Sequence, residues 1–370
     1  MKILVIGAAG FNLGDDAIAV TIAQRLADII DDAEVTVACL NPGRLSRYGI
    51  KELPLNRSSI SGWANLVSAV RHTDVVLLGG GTLIQDALGC GLYKGMIPYI
   101  WQASLLAKIY QRRLATVPIG IDDLKGQRAA RLAGQILRWA TPVLLRDERS
   151  LELAQQLGTY QTGKFVLSSD PVFDVRLSKR QHPVSEPSIV ISYVRELREV
   201  SQVRDELMEL ITRIRAKWPS HKVVLLAMDT RESDERTVFR IVCENISDER
   251  VVIMSPSDYR EVIHIIRSAT LVVAMRLHVM IMALGHVPLV GISRTTKTDT
   301  LIKEASIIGA KIQSMEPNKL IDLMQRALAD QERIAYQKMI ATRNAERFSR
   351  TMIQLARSLG GICRDHEDAA

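Results

Sequence analysis

The sequence predicts an α/β protein with two doubly wound parallel sheets, and three observations carry that expectation. Short β-branched apolar runs alternate with stretches of helical apolar spacing over residues 1–181, and the alternation starts again over residues 188–343. Between the two series, residues 182–187 hold Pro183 and Pro187 among few apolar side chains, the composition of a linker. At 370 residues and 47% apolar content, the chain is too long for one ordinary core and rich enough for two. The expected architecture is a pair of Rossmann-like domains facing each other across a cleft, with helices after Pro317. In the last segment, residues 344–370, a helix can cross back onto the first domain, and a tail follows it.

Residues 2–7 read as a strand turning at Gly7, because a signal peptide would need a longer apolar region and a cleavage site. The loop AAGFNLGDD, a helix over residues 17–30 and a strand over residues 34–40 come next. Gly7, Gly10 and Gly14 do not form GxGxxG. The second strand ends in Ala38, Cys39 and Leu40 rather than in an acid for a ribose hydroxyl, so a nicotinamide dinucleotide site is excluded. What the loop offers is Asn12, Gly14 and Asp15 at a helix start, where N–H groups and the helix dipole favour an anion or a sugar hydroxyl. Plain N-capping by Asp15 is the simpler reading.

Residues 74–78 form a buried strand running into Gly79, Gly80, Gly81 and Thr82, where the backbone can approach a ligand or a packed neighbour closely. A helix around residues 99–110, a strand at 114–120, a helix at 127–139 and a strand at 142–145 follow. The last strand ends in Arg146, which faces either an anion or a neighbouring acid. Asp170 and Pro171 close this half. The second series is strand 189–193, helix 202–218, strand 222–228, helix 235–245, strand 250–254 and helix 259–268.

The chemistry is expected at residues 271–297. The run Leu271 to Met275 suits a strand buried on both faces, and a helix over residues 279–284 and a strand from Pro288 to Ser293 follow it. In open parallel sheets ligands bind outside the carboxyl ends of the strands, so Arg276, His278 and the loop over residues 293–297 should share one crevice. A lone His at a helix start is ordinarily a cap or surface residue. A cation two positions before it at a strand end, however, calls for an anion.

The net charge of +7 is modest for this length, and no basic run interleaved with aromatics marks a nucleic-acid groove, so anionic substrates or an anionic membrane surface suit the chain better. Cys39, Cys90, Cys243 and Cys363 lack ligand spacing and read as reduced cytosolic thiols. No Asp-x-Asp triplet and no His/Cys/Asp cluster with ligand spacing suggests a metal. No run is long enough to span a membrane. Residues 93–113, where Tyr93, Tyr99, Trp101 and Tyr110 mix with Lys94, Lys108, Arg112 and Arg113, are either a core helix or a peripheral membrane contact.

Taken together, NLGDD at 12–16, GGGTLIQD at 79–86, LRDERS at 145–150, DPVF at 170–173 and RLH at 276–278, with Lys297 beyond, resemble the polysaccharide pyruvyl transferase family in order and spacing. The resemblance implies a GT-B-like fold and phosphoenolpyruvate as co-substrate, with no cofactor. It also implies a saccharide acceptor, free or lipid-linked, on which two hydroxyls become bridged by a pyruvate ketal. His278 would be the general acid and base, Arg276, Arg146 and Lys297 the donor-binding cations, and Asn12, Gly14, Asp15, Gly80, Gly81 and Thr82 the acceptor- or phosphate-binding loops. The place of action would be cytoplasmic, at the inner face of a membrane where the acceptor is lipid-linked. Many relatives carry an aromatic residue shortly before the lysine, whereas this chain has Ser293, Arg294, Thr295 and Thr296 there.

The residue types fit that chemistry independently. A donor bearing a carboxylate and a phosphate needs several cations, with Arg suited to bidentate contacts, and an imidazole can deliver a proton to an enol carbon near neutral pH. The alternatives are a nucleotide-sugar glycosyltransferase of the same architecture and a catalytically silent saccharide- or lipid-binding protein.

Overall fold

A computed structural model of the chain describes residues 1–7, 9–55, 59–87, 89–91, 95–159, 163–176, 186–194, 198–231, 234–312 and 316–360. Most of the expected linker, Tyr93, Lys94, Cys363 and the expected tail lie outside these residues. Two compact units divide the chain: Met1–Phe11, Asp15–Arg176 and Asn344–Ala370 make the first, and Asn12–Gly14 with Leu177–Arg343 the second.

In the first unit the order is β1 (Lys2–Ile6), α1 (Leu13–Ile29), β2 (Glu34–Cys39), β3 (Lys51–Pro54), α2 (Ile60–Arg71), β4 (Val75–Leu78), β5 (Gly81–Ile84), α3 (Met96–Ile109), β6 (Arg113–Thr116), β7 (Ile119–Ile121), α4 (Gln127–Trp139), β8 (Val143–Leu145), α5 (Glu148–Ala154) and β9 (Phe165–Leu167). One parallel sheet runs β3-β2-β1-β4-β6 and another β5-β7-β8-β9. The second continues the first past two interruptions, Gly79–Gly80 between β4 and β5 and Val117–Pro118 between β6 and β7. The expected single strand at 114–120 is thus broken at a proline, which has no N–H for the ladder. Strand order reverses direction at β1 and β4, so the loops after Ile6 and Leu78 both leave the sheet at its switch point.

The second unit contains β10 (Ser188–Ser192), α6 (Val200–Lys217), β11 (Lys222–Leu226), α7 (Asp234–Asn245), β12 (Val251–Met254), α8 (Tyr259–Arg267), β13 (Leu271–Ala274), α9 (Leu277–Ala283), β14 (Leu289–Ser293), α10 (Thr296–Glu304), β15 (Ile308–Lys311) and α11 (Pro317–Ala329). Its parallel sheet runs β12-β11-β10-β13-β14-β15, the doubly wound order, with the switch between β10 and β13. The helices cover both faces because their apolar residues recur at helical spacing: α6 buries Val203, Leu207, Leu210, Ile211 and Ile214 against Ile189 and Ile191 of β10. A final helix, α12 (Gln331–Ser358), belongs to the second unit up to Arg343 and to the first from Asn344. In the first unit it is fixed by Thr351, whose hydroxyl lies 2.6 Å from that of Ser168, and by the Asn344 carbonyl, which accepts from the Ser169 hydroxyl at 2.5 Å.

The packing of α3 bears on one expectation. Tyr99 is buried in the first core, and Trp101 is half-buried against Trp139, its indole N–H donating to Gln135 of α4 at 2.6 Å. Arg112 and Arg113 donate to the carbonyls of Arg71 and Leu359. Tyr99, Trp101, Arg112 and Arg113 thus have partners inside the unit, while Lys108 is exposed. No helix among the described residues is long and apolar enough to cross one.

Candidate functional site

The carboxyl edge of the second sheet gathers the RLH residues. Arg276 is the N-cap of α9, so the helix begins two residues earlier than its apolar run predicts and His278 sits in its first turn. The guanidinium of Arg276 makes a forked pair with Glu235 of α7, Nε to Oε1 at 3.2 Å and Nη2 to Oε2 at 2.8 Å. Glu235 is buried, and its Oε2 also accepts the Asp229 N–H at 3.3 Å. Burial alone would push the Asp229 carboxyl up. The hydrogen bonds and charge of Arg231, with Arg276 behind them, hold it below its ordinary value.

The segment Asn12–Gly14 joins this unit at the end of β11. Leu13 N–H donates to the Met228 carbonyl at 3.1 Å, Asn12 bridges to Asp229, and Asn12 Oδ1 accepts the Gly14 N–H at 2.9 Å. Asn12 therefore caps α1, which corrects the reading of Asp15 as the cap. The His278 side chain lies directly on Gly14: an alanine methyl there would come within 2.8 Å of His278 Cβ and closer still to the imidazole. No aligned motif or periodicity announces such a contact, because it joins positions 264 residues apart (278 − 14).

Lys297 is the second residue of α10, which follows β14 beside β13, so Arg276, His278 and Lys297 all follow neighbouring strands at one sheet edge. A lysine at a helix N-terminus opposes the helix dipole, and an anion bound at the same end would reverse that penalty. The Ser-Arg-Thr-Thr run before it has a structural reason. Thr295 caps α10 in a reciprocal box with Thr298, whose hydroxyl accepts the Thr295 N–H at 3.0 Å.

In the first unit three motifs meet on Arg146. Its side chain is 4% exposed, with Nη2 donating to Thr82 Oγ1 at 3.2 Å, Nε facing Asp147 at 3.3 Å and Nη1 facing Asp170 at 3.4 Å. Gly120 lies against the guanidinium, where an alanine methyl would stand 2.9 Å from Nη2. Burial would lower the Arg146 pKa, but Asp170 and Asp147 raise it, so it stays charged. Burial would likewise raise Asp147, yet Arg146 and the Ser150 hydrogen bonds hold it below its ordinary value. The expected donor-binding Arg146 is thus enclosed by the protein's own acids, the plainer of its two sequence readings. The expected loop at Gly80 and Gly81 is likewise occupied by α1. All three glycines of the triplet have positive φ, an alanine methyl on Gly80 would meet Ile18 at 2.8 Å, and Asp15 lies against Gly81. Among the described residues no group of three or more His, Cys, Asp or Glu side chains is placed to hold a metal ion.

Substituting Gly14 by Ala tests the contact. The added methyl would stand 2.8 Å from His278 Cβ and closer to the ring, so the imidazole must move, and the melting temperature should fall together with a loss of turnover of at least about tenfold in the folded fraction. Full turnover in that variant would mean that the imidazole works from another position.

Two doubly wound units in this order make a GT-B-type α/β fold, and solved structures share it. A protein of Listeria monocytogenes described as a UDP-N-acetylglucosamine 2-epimerase is similar at a TM-score of 0.70 and 14% identity, over 96% of this chain and 95% of its own. The UDP-GlcNAc 2-epimerase of Methanocaldococcus jannaschii matches at 0.67 and 12%, over 96% and 100%. Anabaena HepE, solved with UDP-glucose, matches at 0.62 and 15%, over 97% and 99%. At such identities the likeness concerns the fold alone. A search of the curated proteins finds no match. The polysaccharide pyruvyl transferase model matches residues 12–295, and the chain belongs to that family. The match begins at Asn12 and takes in every expected site residue except Lys297, two positions past its end.

Proposed function

We propose that this protein is a pyruvyl transferase that uses phosphoenolpyruvate to build a pyruvate ketal on a saccharide. The observation that carries the reading is the meeting of two distant motifs in the second unit: the His278 side chain of RLH lies on Gly14 of NLG, two residues after the cation Arg276. His278 is the general acid that protonates the donor's methylene carbon, which makes C2 electrophilic. One acceptor hydroxyl adds to C2 and a second displaces the phosphate, so two C–O bonds form and one C–O bond to phosphate breaks. The two hydroxyls release two protons; the new methyl retains one and the departing phosphate takes the other. Arg276 and Lys297 hold the donor anions. Arg146 acts by keeping Thr82, Asp147 and Asp170 in one arrangement.

Calorimetric titration with phosphoenolpyruvate and with a panel of nucleotide sugars tests this. Saturable binding of phosphoenolpyruvate, with no competing nucleotide sugar, is the expected result. A nucleotide sugar that bound while phosphoenolpyruvate did not would make the protein a glycosyltransferase or epimerase of the same fold. The second arm of the test is to look for the ketal in the glycan of cells with and without the gene.

A further inference from the structure

We infer that Glu235 is a positioning residue for the donor. This inference rests on the reading of Arg276 as a donor contact. Glu235 is buried at the start of α7, and its carboxylate takes one edge of the Arg276 guanidinium, Nε with one hydrogen of Nη2. A guanidinium has a second fork, formed by Nη1 and the other hydrogen of Nη2, with the geometry that suits a carboxylate or phosphate. Fixing the first edge turns the second into a preset receptor. The Arg276 side chain keeps 17% of its surface accessible, against 3% for Glu235, so of the pair it is the arginine that solvent reaches.

Glu235 also ties this fork to the histidine. Its Oε2 accepts the Asp229 N–H, Asp229 bridges to Asn12, and Asn12 Oδ1 holds Gly14, on which the His278 side chain lies. One carboxylate therefore sets the direction of the anion-binding arginine and anchors the strand end that supports the imidazole. A long range electrostatic view gives the opposite expectation, because removing a negative charge beside an anion site should tighten anion binding. The two views differ in sign, which makes the proposal testable.

The experiment is calorimetric binding of phosphoenolpyruvate to the full-length protein and to the variants Glu235→Gln, Glu235→Asp, Arg276→Lys and the double variant Glu235→Gln/Arg276→Lys. Positioning predicts that Glu235→Gln weakens binding by about tenfold or more, because an amide offers one acceptor oxygen where the carboxylate offers two. Glu235→Asp, which keeps both acceptors, should recover most of it, and the double variant should be no weaker than Arg276→Lys alone. A purely structural Glu235 would lower the melting temperature without changing affinity in the folded fraction. Unchanged or tighter binding in Glu235→Gln, with Arg276→Lys weakened, would overturn the role of Glu235. Parent-like binding in Arg276→Lys would instead overturn the reading of Arg276 on which it rests. If Glu235→Gln does not fold, Glu235→Ala and the double variant Glu235→Ala/Arg276→Lys take its place, and unchanged or tighter phosphoenolpyruvate binding in Glu235→Ala would overturn the role of Glu235.

Discussion

Replacing His278 by Gln is expected to lower pyruvyl transfer by about 10² or more while the affinity for phosphoenolpyruvate changes little. Glutamine keeps a hydrogen bond and much of the imidazole's volume but carries no proton to give at neutral pH. The substitution falls in the first turn of α9, where the side chain lies on Gly14 and is half-buried, so a flexible amide of similar size can be accommodated. Single-turnover rates and donor titration on a variant of unchanged melting temperature separate loss of the acid from loss of the fold. Turnover within a few-fold of the parent would make His278 a packing residue, with Lys297 the next candidate for the proton. The variant also reports on Gly14. If both Gly14→Ala and His278→Gln lose turnover and the pair together loses no more than His278→Gln alone, the glycine acts through the imidazole.

Much of this was legible in the sequence because doubly wound sheets advertise themselves. A strand buried on both faces, such as Val75–Leu78 or Leu271–Ala274, reads as a short apolar block, and α6 reads as a stripe at helical spacing. The helix α2 was harder to read. Ile60 is 91% exposed and Trp63 is 47% exposed, so apolar residues on its outer face blur a narrow buried stripe of Gly62, Leu66 and Val70. The start of α9 was hidden for a different reason. Arg276 occupies the N-cap without any side-chain cap hydrogen bond, so none of the usual Ser, Thr, Asp or Asn signals is present. Glu235 escaped notice because its partner lies two strands away in the order β11-β10-β13, and strand order is decided by packing that single-sequence periodicity does not contain. Arg146 shows the same limit in reverse. Its place at a strand end suggests an anion or a neighbouring acid, and the acid 24 positions on (170 − 146) that faces it could be recognised only after β8 and the DPVF turn were brought together.

Replacing Arg146 by Met is expected to destabilise the first unit by about 3–5 kcal/mol, the usual cost of removing one partner from a buried ion pair. Asp170 is 4% exposed, so its carboxylate cannot turn into water when the guanidinium is gone, whereas Asp147, which caps α5, keeps 28% of its side chain accessible. Thr82 loses its donor at the same time. The size of the effect should depend on pH, and its sign follows from the parent protein. The Asp147 pKa is lowered in the folded state, so its stabilising contribution is complete above the ordinary value of 3.8 and is lost as pH falls through the lower folded value. In the variant the cation that lowered Asp147 is missing, burial raises its carboxyl, and protonation relieves the unpaired charge. The difference between parent and variant should therefore shrink as pH is lowered from 8 toward 4. Urea midpoints of the first unfolding transition across that range are the measurement. A donor-binding Arg146 makes the opposite forecast: removing a cation kept for a ligand would leave the unliganded protein as stable as the parent or more so, and would weaken phosphoenolpyruvate binding. Unchanged midpoints together with lost donor affinity would return Arg146 to the donor site, whereas lowered midpoints with affinity retained in the folded fraction would fix it as the hub that holds Thr82, Asp147 and Asp170 together.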